Sequence, residues 1–121
     1  MKKILLVTLF MVFNLFGQEP MLRETPFAEV LQQIGKHKRT FIEVGSDTCR
    51  SCQVMGRKLY VIKQKHPEYP IYFVNVHKER EAAYRLRVQM IPTQIVVDSQ
   101  GNEIYRHVGI LEAQEIKKFF N

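Results

Sequence analysis

The sequence predicts one α/β domain in which a mixed four-stranded sheet is flanked by helices, in the order α-β-α-β-α-β-β-α. Apolar residues at helical spacing alternate along the chain with short runs of β-branched and aromatic residues. A four-residue turn (SQGN) separates the last two of these runs, which predicts a hairpin. The 121 residues, 45% of them hydrophobic and 25% charged, suit one packed domain rather than a disordered chain.

The first half of the domain is predicted to be a helix, a strand and a longer helix. Thr25 is expected to cap the first helix and Pro26 to take its first position, and apolar residues then recur at helical spacing. Residues 40–44 (TFIEV) have the composition of a strand. From Cys49 to a stop at Pro67, apolar residues again recur on one helical face.

The second half is predicted to complete the sheet. Residues 71–76 (IYFVNV) are rich in β-formers, and residues 79–86 follow with a helical pattern. Residues 93–98 and 103–108 are the two strands of the hairpin, and residues 112–120 are a last helix with its lysines late, as the helix dipole favours. A strand–helix–strand crossover followed by a hairpin gives a mixed sheet covered by helices.

The beginning of the chain differs from the rest. Two lysines precede an almost wholly apolar run, residues 4–16, and a glycine and a polar stretch follow. This is typical of a secretory signal peptide, and the run is shorter than the ~20 residues that span a bilayer. We therefore expect a signal peptide at residues 1–17, a linker at 18–25 and the domain at 26–121, with export to the periplasm. An uncleaved anchor remains the alternative.

Charge and motifs exclude several function classes. The net charge of +6 is scattered and is not interleaved with aromatic residues on a repeating face, which argues against nucleic-acid binding. The sequence contains no nucleotide-binding motif, so we expect no resident cofactor. The four histidines, at positions 37, 66, 77 and 107, are scattered singly, and we expect them on the surface.

Both cysteines of the chain lie in one motif, Cys49-Arg50-Ser51-Cys52, between a strand and a long helix. A disulfide across two residues closes a very short loop and would stabilise the fold little. A structural zinc site usually needs four ligands, and the sequence offers no second CxxC or paired histidine motif. Covalent haem attachment needs a histidine where Gln53 stands. Redox chemistry is therefore favoured over a structural bridge and over a metal site.

The position of the motif predicts different roles for the two cysteines. Cys49 at the helix start faces the positive end of the helix dipole and unpaired N–H groups, which favour a thiolate. Arg50 adds a positive charge beside it. Cys52, one turn further on the core-facing side, is expected to be buried. We predict that Cys49 attacks a substrate disulfide and that Cys52 resolves the mixed disulfide.

With these features the sequence resembles the thioredoxin superfamily over roughly residues 40–120. Besides the strand–CxxC–helix unit, the resemblance rests on the segment 90–93 (MIPT) before the hairpin and on Val108-Gly109 after it. It implies the thioredoxin fold with a cis peptide bond at Ile91–Pro92 beside the cysteines. It also implies that Ile91, Pro92 and Gly109 bind a substrate strand, and that the proline keeps metals off the thiols.

Glu43 lies six residues before Cys49 in an apolar strand, where thioredoxins have a buried acid. If both faces of that strand are covered, burial raises the proton affinity of Glu43. We then expect Glu43 to move protons to and from Cys52 during exchange. A solvated Glu43 on an edge strand is the alternative.

The sequence also departs from the family pattern. Thr48 stands in place of a tryptophan, and Phe73 in place of a lysine near the buried acid. Gly56 takes the place of the proline that kinks the long helix. Arg50 and Ser51 replace Gly-Pro between the cysteines, and we expect both to modulate the reactivity of the thiols.

The sequence-based expectation is therefore an extracytoplasmic, monomeric thiol–disulfide oxidoreductase that reduces client disulfides. The resemblance implies a membrane-embedded thiol-electron carrier as donor, with oxidised apocytochromes or wrongly paired disulfides as clients. A disulfide-introducing oxidant or isomerase is the alternative. Arg50 favours the oxidant, although the interval 52–71 has no room for the helical subdomain of the oxidant family. A binding or chaperone module with incidental cysteines is the alternative of another class.

Overall fold

The computed structural model describes residues 19–121, so the predicted signal peptide lies outside the described residues. The helices and strands follow the predicted order. They are α1 (Phe27–Gln33), β1 (Arg39–Gly45), α2 (Arg50–Lys65), β2 (Ile71–Asn75), α3 (Arg80–Arg85), β3 (Thr93–Asp98), β4 (Glu103–Val108) and α4 (Ala113–Lys117), followed by a 3₁₀ turn (Lys118–Phe120). The hairpin strands β3 and β4 have the bounds that the sequence predicts.

The four strands form one mixed sheet in the spatial order β2-β1-β3-β4. β1 pairs with β2 in parallel, across the connection made by α2, and pairs with β3 antiparallel. β3 and β4 form the predicted antiparallel hairpin. Because β1 has a strand on each side, the edge-strand alternative for Glu43 is wrong.

Helices cover both faces of the sheet. Successive side chains of a strand point to opposite faces, so β1 contributes to two core clusters. On one face, Ile42 and Val44 of β1 belong to a core cluster with residues of α1 and α3. On the other face, Phe41 packs in a cluster with Met55 of α2 and Ile116 of α4. Odd-numbered residues of β1 therefore face α2, the helix that begins at Arg50 and contains Cys52.

The stretch 19–25, predicted as a linker, packs along the domain instead of forming a free connection. Glu24 forms a parallel bridge with Phe73 of the edge strand β2. The backbone N–H of Leu22 donates to the carbonyl of Gly56 in α2 at 3.0 Å. The stretch therefore lies against β2 and α2. Its polar composition suggested a linker and gave no sign of these backbone contacts.

Helix α1 begins one residue later than predicted, and its first amide is bound by a distant side chain. Pro26, not Thr25, is the N-cap residue, and its side chain offers no cap hydrogen bond. The backbone N–H of Phe27 instead donates to the carboxylate of Glu79, at 3.0 and 3.2 Å. A carboxylate at this end also suits the positive pole of the helix dipole. The local prediction was wrong because the partner is far away in the sequence.

Candidate active site

The two cysteines lie where β1 leads into α2. Cys49 is the N-cap residue of α2, and its Sγ accepts a hydrogen bond from the backbone N–H of Cys52 at 3.4 Å. Both cysteines are free thiols. Cys49 is half-buried, whereas Cys52 is only 3% exposed. The accessible first cysteine and buried second cysteine are arranged as the sequence predicts.

The surroundings of the two thiols move their pKa values in opposite directions. Partial burial works to raise the pKa of Cys49, but hydrogen bonds from Cys52 and Ser51 outweigh it and hold this pKa below its usual value. Burial, together with the hydrogen bond to Cys49, raises the pKa of Cys52 to about 12. The thiol of Cys49 therefore ionises more readily than the thiol of Cys52.

Ser51 and Arg50, both predicted to modulate the thiols, are placed differently. The hydroxyl of Ser51 lies 3.4 Å from Cys49 Sγ and contributes to the lowered pKa of that thiol. Arg50 is exposed at the first position of α2. The contacts that lower the pKa of Cys49 are thus local hydrogen bonds within the motif, formed because Cys49 is at the helix N-terminus.

A short polar network holds the loop before Cys49, and one of its members, Ser46, was not predicted from the sequence. The buried hydroxyl of Ser46 accepts a hydrogen bond from the backbone N–H of Cys49 at 3.2 Å. Ser46 Oγ also lies 3.4 Å from Thr48 Oγ1, which lies 3.2 Å from His77 Nδ1. Thr48, which replaces the family's tryptophan, is thus a hydrogen-bonded link. A serine three residues before the N–H that it binds is a known local pattern and could have revealed Ser46.

Glu43 lies in β1 on the face covered by α2 and is 2% exposed. Burial raises its pKa to about 8, while a hydrogen bond from Gln94 works in the opposite direction. Glu43 is thus a buried acid, and its burial favours the protonated form. Gly45, two residues further along the same face, lies against Cys52: a Cβ at position 45 would be 3.1 Å from Cys52 Sγ. The Cys52 thiol therefore packs directly on the strand that contains Glu43.

Gln94, which the sequence analysis missed, is the direct side-chain partner of Glu43. It is fully buried, and its amide nitrogen donates to the two carboxylate oxygens of Glu43 at 3.2 and 3.3 Å. The same nitrogen donates to the carbonyl of Gly109 at 2.9 Å, and Gln94 Oε1 lies 2.7 Å from His107 Nδ1. His107, expected on the surface, is half-buried. An amide within an apolar strand was the only signal in the sequence.

The loop before β3 reaches the same end of the sheet as the cysteines. Thr93 is paired with Val44, near the end of β1 that leads to Cys49. The Ile91–Pro92 peptide bond is cis. The N–H of Gly109 donates to the carbonyl of Pro92 at 2.8 Å, and the positive φ of Gly109 (100°) is a conformation that glycine adopts readily. Three exposed apolar side chains flank this loop pair: Met90, Val108 and Ile110.

Within residues 19–121, no three side chains of the His, Cys, Asp and Glu types come together to hold a metal ion. No helix in this range is long and apolar enough to cross a bilayer.

Comparison with known proteins identifies the family. A family model described as a thioredoxin-like domain matches residues 27–121, which is more than half of the chain. The chain belongs to the thioredoxin-like family. No curated protein matches this thioredoxin-like chain.

Solved thioredoxin structures share its fold. The thioredoxin of Fasciola hepatica is 20% identical, with a TM-score of 0.69, 83% of this chain covered and 97% of that one. Thioredoxin NaTrxh of Nicotiana alata is 20% identical, with a TM-score of 0.68 and coverage of 86% and 94%. Oxidised mitochondrial thioredoxin 3 of Saccharomyces cerevisiae is 19% identical, with a TM-score of 0.64 and coverage of 82% and 92%. At these identities the likeness establishes the thioredoxin fold. Together with the close Cys49/Cys52 pair, the family supports a thiol–disulfide oxidoreductase.

Proposed function

We propose that this protein reduces disulfide bonds of client proteins by dithiol exchange, with Cys49 as the nucleophile and Cys52 as the resolving thiol. The observation that supports this most directly is the opposite displacement of the two pKa values within one helical turn. The accessible thiol with the lowered pKa begins the reaction. The buried thiol with the raised pKa completes it from inside the protein.

The exchange transfers two electrons in two steps. The thiolate of Cys49 attacks one sulfur of the client disulfide, forming the Cys49–client bond while the client's own S–S bond breaks and its second sulfur leaves as a thiolate that takes up a proton. Cys52 then loses its proton and attacks Cys49 Sγ. The Cys49–Cys52 disulfide forms, and the first client sulfur leaves as a thiol. The client is reduced, the protein is oxidised, and a second dithiol must reduce the protein again.

The second step needs a base, because the pKa of Cys52 is about 12. We propose that Glu43 is this base, since the Cys52 thiol packs against Gly45 of the same strand and the charge of Glu43 acts on that thiol. A carboxyl whose pKa is about 8 accepts a proton more readily than an ordinary glutamate does. The protonated Glu43 can later return the proton to Cys52 when the disulfide is reduced.

The client segment is proposed to bind beside the cysteines. The backbone of Ile91, next to Pro92, offers hydrogen-bonding groups to an extended chain, and Gly109 borders this site through the hydrogen bond from its N–H to the carbonyl of Pro92. The exposed apolar side chains Met90, Val108 and Ile110 lie next to these residues in the sequence and supply contact area for the client.

The reaction is proposed to occur outside the cytoplasm, in the periplasm. This rests on the pattern of residues 1–17, which is typical of a signal peptide. A membrane-embedded thiol-electron carrier would then supply the electrons, and oxidised apocytochromes or wrongly paired disulfides would be the clients. The N-terminal sequence of protein recovered from the periplasmic fraction tests export; an intact residue 1 in purely cytoplasmic protein would contradict it.

The equilibrium reduction potential of the Cys49–Cys52 pair, titrated against glutathione, tests the direction of the reaction. A reductant should give a value near about −270 mV, where thioredoxin lies. A value near about −120 mV would identify an oxidant instead. Insulin reduction is the companion assay. A wild-type protein that exchanges no disulfides, and a Cys49→Ser/Cys52→Ser double variant that still binds clients, would instead support a binding module.

A further inference from the structure

Three polar residues form a row across the sheet beneath α2. Glu43 of β1 is paired in register with Gln94 of β3, which is paired with His107 of β4. Side chains in direct cross-strand register lie on the same face. Gln94 is fully buried, Glu43 is 2% exposed, and His107 is half-buried on the edge strand. The row therefore runs from the buried acid to the edge of the sheet.

The hydrogen bonds of Gln94 determine which way its amide points. Its NH₂ group faces two acceptors, the carboxylate of Glu43 and the carbonyl of Gly109. Its carbonyl oxygen accepts only, so the contact at 2.7 Å requires His107 to donate its Nδ1–H. A flipped amide would place its oxygen against two other acceptors, the carboxylate of Glu43 and the carbonyl of Gly109, which is unfavourable at both contacts.

We propose that Gln94 and His107 are positioning residues for proton transfer at Cys52: Gln94 stabilises the ionised, proton-accepting form of Glu43, and His107 fixes the direction of the Gln94 amide. This inference rests on the proposed role of Glu43 as the base. It also joins the acid to the edge where the client is proposed to bind, because Gly109 accepts from Gln94 and donates to the carbonyl of Pro92.

The groups facing Glu43 from the neighbouring elements explain why this support is needed. Phe73 of β2 is paired with Glu43 and offers no charge. The thiols of Cys49 and Cys52 belong to the segment at the start of α2, and a negative charge on Cys49 raises the proton affinity of Glu43 further. Gln94 of β3 is the neighbour that favours the ionised form, because a carboxylate that accepts a hydrogen bond is stabilised relative to the neutral acid.

Substitutions at Gln94 and His107 distinguish the effect of the hydrogen bond that Gln94 donates to Glu43 from the effect of side-chain packing. Gln94→Leu should raise the titration midpoint of the Glu43 carboxyl by about one pH unit, and so lower the exchange rate about tenfold at a fixed pH on that limb of the profile. His107→Leu should shift both in the same direction by less. His107→Asn should restore the wild-type values, because an asparagine amide offers a donor near the Nδ1 position.

Two measurements on the full mature protein test these shifts: the ¹³C-NMR titration of the Glu43 carboxyl and the pH profile of thiol–disulfide exchange. His37→Leu, at a histidine outside the row, is the matched control and should leave both unchanged. Since His107 is half-buried on an edge strand, His107→Leu tests the inference even where Gln94→Leu does not fold. An unchanged Glu43 midpoint in a folded Gln94→Leu or His107→Leu protein would overturn the inference, and so would an equal shift in His37→Leu.

The failure of the underlying function has a different signature. If Glu43→Gln left the pH profile of exchange unaltered, Glu43 would not be the base, whatever the Gln94 variants did. Shifted Glu43 midpoints without any change in their exchange profiles would show that the row organises the acid but does not serve the reaction, which overturns the positioning role. Shifts in both the midpoint and the profile support it.

Discussion

A Cys52→Ser variant is expected to stop the reaction half-way and to accumulate a mixed disulfide between Cys49 and the client. Attack by Cys49 does not use the Cys52 sulfur, and the backbone N–H at position 52 that donates to Cys49 Sγ remains. Release of the client does need that sulfur. Turnover should therefore fall on the order of 10³-fold or more, as for removal of a reacting group in other enzymes. Non-reducing electrophoresis should show the conjugate, and dithiothreitol should cleave it by reducing the mixed disulfide.

The reciprocal variant provides the control. Cys49→Ser should neither turn over nor form a conjugate, because the buried Cys52 keeps its proton and lies out of reach of a client. Ser51→Ala should still react, but more slowly, since one of the hydrogen bonds that lower the pKa of Cys49 is lost. A conjugate formed by Cys49→Ser and not by Cys52→Ser would reverse the two roles.

The order of the elements and the cysteine pair could be predicted from the sequence because both depend on local patterns. Periodicity located the strands, and 93–98 and 103–108 have the predicted bounds. The CxxC motif between a strand and a helix placed Cys49 at a helix N-terminus without knowledge of the rest of the fold. Burial of Glu43 depended on the strand order, which the structure supplies.

The parts that were missed depend on distant partners. Gln94 looks like any polar residue of a strand until the register pairs it with Glu43. Residues 19–25 can pack closely on α2 because residue 56 is a glycine. A Cβ at Gly56 would lie 2.7 Å from Met21 Cε and 3.2 Å from Met21 Cβ. Hydrophobic spacing along one segment contains no information about such contacts.

Replacement of Glu43 by glutamine is expected to stabilise the protein at alkaline pH. Burial raises the pKa of Glu43 in the folded protein from its usual 4.5 to about 8. Between these pH values the folded state keeps a proton that the unfolded state has lost, so stability falls as the pH rises from 4.5 to about 8. Above that range the folded protein contains a buried carboxylate, at a cost of up to roughly 5 kcal/mol.

Urea unfolding of the wild type and of Glu43→Gln at pH 5 and at pH 9 measures this effect. The advantage of the variant should be small at the lower pH and should grow by a few kcal/mol at the higher one, because the amide does not ionise. Glu81→Gln, at an exposed glutamate of α3, is the matched control and should show no such growth. An advantage of Glu43→Gln that is equal at both pH values would contradict a raised pKa.

Glu43→Gln should also slow the exchange reaction. Its effects on stability and on rate together test whether the buried acid that destabilises the fold serves as the base. If Glu43 removes the proton of Cys52, the ionisation that lowers stability is also the one that raises the rate of client release. In the wild type, the fall in stability should therefore level off near the pKa of about 8, and the rise in the rate should have its midpoint there. In Glu43→Gln, both should be absent, leaving a slower release of the mixed disulfide. A rate profile that kept its midpoint in Glu43→Gln, while the fall in stability between pH 4.5 and about 8 disappeared, would assign the base to another group.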